Sequence, residues 1–258
     1  MRNESTIGVL GVGAIAEAMV IGWCDGVEEP PTIVLSPRGR DRSASLAARF
    51  PTVEVAAHNQ EVLDRAATVV VALRPQDVAA TLGSLTFSPE HQLVSVAATV
   101  SVARLRELVG PADVLARAVP LPAVARRRGV TAVFPAHPDG RRLFEELGQV
   151  LAVDDEPSLD ALSAATATIA AHLAYLAAIS QWLTARGIPE EDASRYVVST
   201  FAGVSEELER RPTGLLELAD AHATPGGLNE QFLGTLRQAG FLDLVGRGLD
   251  EVAERASG

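Results

Sequence analysis

A chain of 258 residues with 47% apolar and 21% charged side chains can bury a large core in one or two domains, which excludes a disordered segment. A net charge of −11 and an isoelectric point near 4.9 exclude the basic footprint of a nucleic-acid binder, although basic runs occur at 38–42 (RGRDR) and 126–128 (RRR). The single cysteine, Cys24, excludes an intramolecular disulfide and an all-thiolate metal cluster, and no metal is expected.

The N-terminus, MRNESTIGVLGVG, runs directly into an apolar segment and glycines, unlike a secretory leader. TIGVLGV (6–12) predicts a short buried strand ending at glycine. AIAEAMVIGWCDG predicts a helix, with Ile15, Ala18, Met19 and Gly22 at helical spacing. TIVLS predicts a second strand and SASLAARF a helix. VEVA and TVVVAL are further strands around the helical NQEVLDRA. HQLVSVAA is another strand, and Ser101 is placed as N-cap of the helix in SVARLREL. DVLARAV and GVTAVFP complete the β/α alternation. Continuous apolar strands alternating with helices predict a parallel sheet covered on both faces, a Rossmann-type doubly wound α/β domain over 1–153.

From about Asp154 only helical periodicity remains, so a boundary is expected near 153–156, with an all-helical domain over 154–258. Its most apolar run, 161–183, is interrupted by Thr, Ser, His and Gln and predicts a buried helix rather than a membrane span. A cytoplasmic location follows as the default, with no membrane partner.

Three stretches carry chemistry. GVGAIA, Gly11 to Ala16, follows a strand and opens a helix, the context that the dinucleotide fingerprint requires. Gly11 permits the tight turn and Gly13 lets the backbone approach a pyrophosphate. Ala14 and Ile15 open the helix whose N-terminus favours the anion, and Ala16 allows close helix–strand packing. The second strand ends in LSPRGR, where an NAD site would place an acid for the ribose hydroxyl. Ser36, Arg38 and Arg40 suit a 2′-phosphate instead, so NADP is preferred; the alternative is a solvated basic loop. At the end of VVVALRPQ, Pro75 stops the strand and Arg74 can reach the cofactor phosphate or the rim of the crevice. RRR at 126–128 reads as a solvated surface rather than a substrate-phosphate site.

These residues resemble the pyrroline-5-carboxylate reductase family, along nearly the whole chain and in order. The resemblance runs through GVGAIAEAM, SPRGR, HNQEVLDRAATVVVALRPQ, SVAATVSVARLREL, ARAVPLPA…GVTAVFP and TPGG. It implies that Asn59 contacts the adenosine side of NADPH. Ala72, Leu73, Arg74, Pro75 and Gln76 would line the nicotinamide half, and Ala97 with Ala98 the crevice floor. The implied reaction is hydride transfer from NADPH to the C=N carbon of a cyclic imine acid, giving L-proline.

The departures fall on the substrate side. VPLPA (119–123) replaces a longer motif with a polar pair, placing Leu121 there. ATIAAH (167–172) ends in His172 where the family has tyrosine, and Gly226-Gly227 is followed by Leu228-Asn229 where it has two threonines. The substrate carboxylate would sit on backbone N–H groups at the Pro-Gly-Gly turn, with Thr224 and Pro225 as N-cap and first helical residue. Asn229 can donate and accept hydrogen bonds to the carboxylate or ring nitrogen; its alternative is an ordinary polar residue at a helix start. His172 is a candidate proton donor, against a packed core or interface histidine. Trp182 and Tyr175 read as packing residues. The Ala-rich helix over 158–186 is too apolar to stand alone, and the resemblance implies a homodimer or higher homo-oligomer. Three functions remain open: a reductase of pyrroline-5-carboxylate or a related cyclic imine, a reductase of a different imine or keto acid, and an NADP-binding protein without turnover.

Overall fold

The computed structural model describes residues 3–210 and 214–257. It forms two compact units, one running up to Ser163 and including the chain from Ala256 onward, the other spanning Ala164–Arg255.

Among the described residues the first unit is built on eight strands: β1 (Asn3–Leu10), β2 (Thr32–Leu35), β3 (Val53–Val55), β4 (Ala66–Val71), β5 (Gln92–Ser95), β6 (Asp113–Val119), β7 (Val130–Phe134) and β8 (Gln149–Ala152). They lie in the order β3-β2-β1-β4-β5-β6-β7-β8. Helices α1 (Ala14–Cys24), α2 (Arg40–Arg49), α3 (Asn59–Arg65), α4 (Pro75–Leu82), α5 (Val102–Val109), α6 (Pro138–Glu145) and α7 (Glu156–Ala165) complete the unit.

The central strands face two cores, which is why their sequences are apolar without alternation. Val9, Val70 and Val94 pack with Met19, Trp23, Leu46 and Phe144 of α1, α2 and α6. Their neighbours Leu10, Val69, Val71 and Leu93 pack with Leu63, Val78, Leu82 and Leu105 of α3, α4 and α5. Ser101 caps α5 as expected, its hydroxyl accepting from the Arg104 N–H at 3.1 Å.

Four expectations are corrected. The sheet is mixed, because β7 runs antiparallel to β6. Residues 120–129, holding only a 3₁₀ turn at Pro122–Arg126, are too few for the crossover helix that a parallel return needs. Pro75 does more than stop a strand: it is the first residue of α4, where its missing N–H is harmless. The RRR run is not simply solvated. Arg127 donates from Nη1 to the carbonyls of Gly22 and Asp25 at 3.0 and 2.9 Å, closing the end of α1.

The fourth concerns the apolar helix. The stretch breaks at 166–167 into α7 and α8 (Thr168–Thr184), and no α8 residue is buried within the chain. By length and composition alone, Glu156–Thr184 could cross a membrane. The second unit continues with α9 (Glu190–Arg210), α10 (Leu215–His222), α11 (Leu228–Gln238) and α12 (Phe241–Ser257). Its interior is thin: Ala193 and Val197 of α9 are buried, whereas Leu173, Tyr196 and Val198 stand open. Trp182 is exposed and covered on one ring face by Arg186, 3.6 Å from the centroid.

One interaction in the first unit had no sequence signal. Arg117 on β6 is buried among apolar strands, yet its guanidinium meets Glu156 through Nη1 and Asp160 through Nη2, the latter at 2.9 Å. Glu156 also accepts the Val102 N–H at 2.8 Å, so one carboxylate ties the starts of α5 and α7 to the sheet.

Candidate active site

The loops leaving β1, β2, β4 and β5 gather at the carboxyl edge of the sheet, where ligands of doubly wound folds bind. β1 lies between β2 and β4, and its glycine turn is held from both sides. Gly11 has φ +89°, and a Cβ there would meet the Ala72 carbonyl oxygen at 2.7 Å, so only glycine fits. The Gly11 N–H donates to Ser36 Oγ at 2.8 Å, and Ser36 is buried. Ser36 therefore shapes the glycine turn from within the loop pair rather than presenting its hydroxyl to a phosphate. That corrects the direct contact expected of it. On the β2 side Gly39, at φ +92°, lets its loop approach the Val12 carbonyl; a Cβ would lie 2.7 Å away.

Gly13 behaves differently. It caps α1, and a Cβ placed on it would meet nothing within 4 Å. Its openness leaves space over the first-turn N–H groups of Ala14 and Ile15, which have no intrahelical partner. Ala16 is buried beneath them. Asn59 is the first residue of α3 and half-buried. His58 Nδ1 accepts the Glu61 N–H at 3.1 Å while Glu61 accepts the Ala57 N–H at 2.7 Å, a reciprocal cap that fixes this helix start. Leu73 and Ala97 are buried walls, whereas Pro75 and Gln76 lie open at the rim. Thr99, just beyond Ala97, has φ +62°, a strained conformation for a β-branched residue.

The basic residues of the rim converge. Arg38 Nη2 and Arg74 Nε both reach Asp77 Oδ2, at 3.3 and 2.9 Å. The Arg74 hydrogen bond, reinforced by the charge of Arg38, holds the Asp77 carboxyl below the usual carboxylate range. Arg40 is exposed on α2 and makes no ion pair among the described residues. Sequence reasoning missed Asp77; its signal was an acid two residues after a proline that begins a helix.

In the helical unit, Thr224-Pro225-Gly226-Gly227 is a turn closed by the Gly227 N–H on the Thr224 carbonyl at 2.8 Å. Proline in second place and Gly226 at φ +72° are the type II signature. The expectation that Thr224 caps a helix beginning at Pro225 is corrected: α11 begins at Leu228 with Gly227 as its cap. Gly227 cannot carry a side chain, since a Cβ would lie 2.6 Å from Thr224 Oγ1. The turn's amides are not bare. The Gly226 N–H donates to Glu230 Oε2 at 2.7 Å, leaving the first-turn amides of α11 as the unpaired donors. Asn229 Nδ2 donates to the His222 carbonyl at 3.1 Å, tying α11 back to α10. His172 is exposed on α8 and meets Phe201 edge-on at 6.4 Å. Leu228 is 84% exposed, whereas Leu121 is half-buried at the start of the 3₁₀ turn.

Residues 6–99 match the family model described as "NADP oxidoreductase coenzyme F420-dependent", and residues 156–258 match "Pyrroline-5-carboxylate reductase dimerisation". A Pseudomonas aeruginosa pyrroline-5-carboxylate reductase is 25% identical over 97% of this chain and 95% of its own length. By sequence the chain is thus similar to pyrroline-5-carboxylate reductases over nearly its whole length, and its C-terminal region matches their dimerisation model. The fold agrees across large sequence distance. A Streptococcus pyogenes 1-pyrroline-5-carboxylate reductase superposes with a TM-score of 0.83 at 23% identity over 98% of both chains. A Plasmodium falciparum pyrroline carboxylate reductase, solved with NADP bound, gives 0.79 at 16% identity over 100% of this chain and 98% of that one. The fold is thus shared with these two proteins over nearly the whole chain, the α7–α8 stretch included.

Proposed function

We propose that the protein is an NADPH-dependent reductase that transfers a hydride to the C=N carbon of pyrroline-5-carboxylate, giving L-proline. The observation that carries this reading is the glycine turn, closed at Gly11 by packing and open at Gly13, in a chain related to such reductases over its full length. The residues present fit the coenzyme. The open face of Gly13 and the first-turn amides of α1 suit its pyrophosphate, and Arg38 and Arg74 offer exposed guanidiniums for its 2′-phosphate. Bound NADPH supplies the hydride. Ala72, Leu73, Pro75, Gln76 and Ala97 are the proposed walls along its nicotinamide half, and Asn59 the contact on its adenosine side.

For the acid, the proposed donors are the first-turn amides of α11 and the Asn229 side chain, on the rigid turn formed by Thr224, Gly226 and Gly227. Asn229 can receive a carboxylate only with its remaining hydrogen-bonding capacity, because one N–H is held by His222. His172 is the proposed source of the proton that the ring nitrogen takes up on reduction. A homodimer would cover the open apolar faces of α8 and α9, and cytoplasm is the proposed location.

A second reading, reduction of a larger or less polar imine or keto acid, is favoured by Leu121 and the exposed Leu228 where the family pattern is polar. Both are tested by following NADPH oxidation with pyrroline-5-carboxylate and with a panel of cyclic imines and keto acids. Turnover on pyrroline-5-carboxylate supports the first, and turnover confined to bulkier members of the panel supports the second. NADPH binding with no turnover on any of them would leave the protein as a cofactor binder.

A further inference from the structure

The loops leaving β2 and β4 flank the glycine turn of β1, because β1 lies between those strands. Both are packed against that turn, Gly39 at the Val12 carbonyl and Ala72 at Gly11. At the rim the same two loops are joined a second time, by charge. Arg38 from the β2 side and Arg74 from the β4 side reach one carboxylate oxygen, Asp77 Oδ2. The exposures decide how this group is built: the Asp77 side chain is 21% exposed, against 57% for Arg38 and 67% for Arg74. Two cations stand outward on one carboxylate set beneath them, and the trio keeps a net positive charge. Each guanidinium spends one nitrogen on Asp77, and a guanidinium has further N–H groups in the same plane for an anion.

We infer that Arg38 and Arg74 are two arms of a single receptor for the phosphate monoester at the coenzyme's adenosine 2′ position, and that Asp77 is the positioning residue that holds the arms together. The inference rests on the NADPH reading above. Without the carboxylate the two like charges repel, and each long side chain regains rotamer freedom that binding must remove again. Loss of Asp77 also removes a repulsion toward the phosphate. That repulsion acts between water-exposed groups and is screened over about 8 Å at physiological salt. The two ion pairs and that repulsion act at similar range. In the inferred receptor the ordering of two guanidiniums toward one point outweighs the repulsion, a sign that the Asp77→Asn titration decides.

The test is calorimetric titration of NADPH and of NADH into the full chain and its Arg38→Ala, Arg74→Ala, Asp77→Asn and Asp77→Glu variants. Asp77→Asn and Arg74→Ala are expected to weaken NADPH about five- to tenfold, the scale of one charge-assisted hydrogen bond, with NADH held within about twofold. Unchanged NADH binding shows that the variants fold, and Asp77→Glu is expected to recover most of the NADPH preference. An Asp77→Asn protein that keeps or increases that preference overturns the inference, as does equal weakening of both coenzymes. If the unaltered protein does not prefer NADPH, or Arg38→Ala leaves the preference intact, the NADPH reading itself falls and takes this inference with it.

Discussion

Replacing Arg117 tests how the first unit is held together. Its side chain is 5% exposed, and its two carboxylate partners, Glu156 and Asp160, are 24% and 15% exposed. Arg117→Ala removes the cation and leaves two neighbouring carboxylates of α7 without it. Breaking a buried pair from one side costs about 3–5 kcal/mol, because the remaining charges stay desolvated and uncompensated. For a unit of this size each kcal/mol shifts the midpoint by about 2–4 °C, so a fall of about 6–20 °C is expected. The assay is thermal unfolding followed by circular dichroism at one fixed protein concentration, since self-association would shift the midpoint. Arg117→Met combined with Glu156→Gln and Asp160→Asn replaces the charges while keeping the volume, and is expected to recover more than half of the loss. A loss below about 1 kcal/mol for Arg117→Ala, the scale of a surface pair, would refute the reasoning. So would a triple variant no more stable than Arg117→Met alone.

Gly11 and Gly13 should separate fold from function. Gly11→Ala forces a Cβ against the Ala72 carbonyl and lowers stability by about 1–3 kcal/mol in denaturant titrations, whereas Gly13→Val leaves the midpoint unchanged and abolishes NADPH binding by fluorescence titration. Glu230→Ala frees the Gly226 N–H: if the turn serves an acid, KM for the imine acid changes with little change in the thermal midpoint, and an unchanged KM would remove the turn from the site. Asp155 caps α7 by accepting the Ser158 N–H at 2.7 Å, and bonding to Ser158 holds its carboxyl below the ordinary range. A folded value depressed below the unfolded one, about 3.9, means that its stabilisation is fully present above that pH and is lost as the pH falls through the folded value. Asp155→Asn should therefore flatten the acid limb of a stability-versus-pH curve below about pH 4 and leave the neutral limb parallel to that of the unaltered protein.

Strands β1 to β7 were legible, because burial of the central ones on both faces demands unbroken apolar runs, whereas β8 at the partly exposed edge was not read. The glycine turn was legible because its spacing, strand and helix occur together. The change to an all-helical region beyond Ala152 was legible for the same reason: the residue period changes. What the sequence could not carry is whatever depends on partners distant along the chain. Local pattern does not encode strand direction, so the reversal at β7 came from the shortness of residues 120–129. Ser36 and Arg38 looked alike as phosphate ligands, being two residues apart. Only packing buries the first under Gly11 and leaves the second at the rim. Arg117 stood in an apolar strand with nothing nearby to suggest that Glu156 and Asp160 would meet it. Glycines and a proline announced the turn at 224–227, but its hydrogen bonds settled which amides are taken. By itself the sequence determined the alternation, the glycine turn and the resemblance, since each is written in residues close together. Tertiary structure decided strand sense, burial of charge and the pairing of Arg38 with Arg74 on Asp77, since those energies depend on distances that only the folded chain sets.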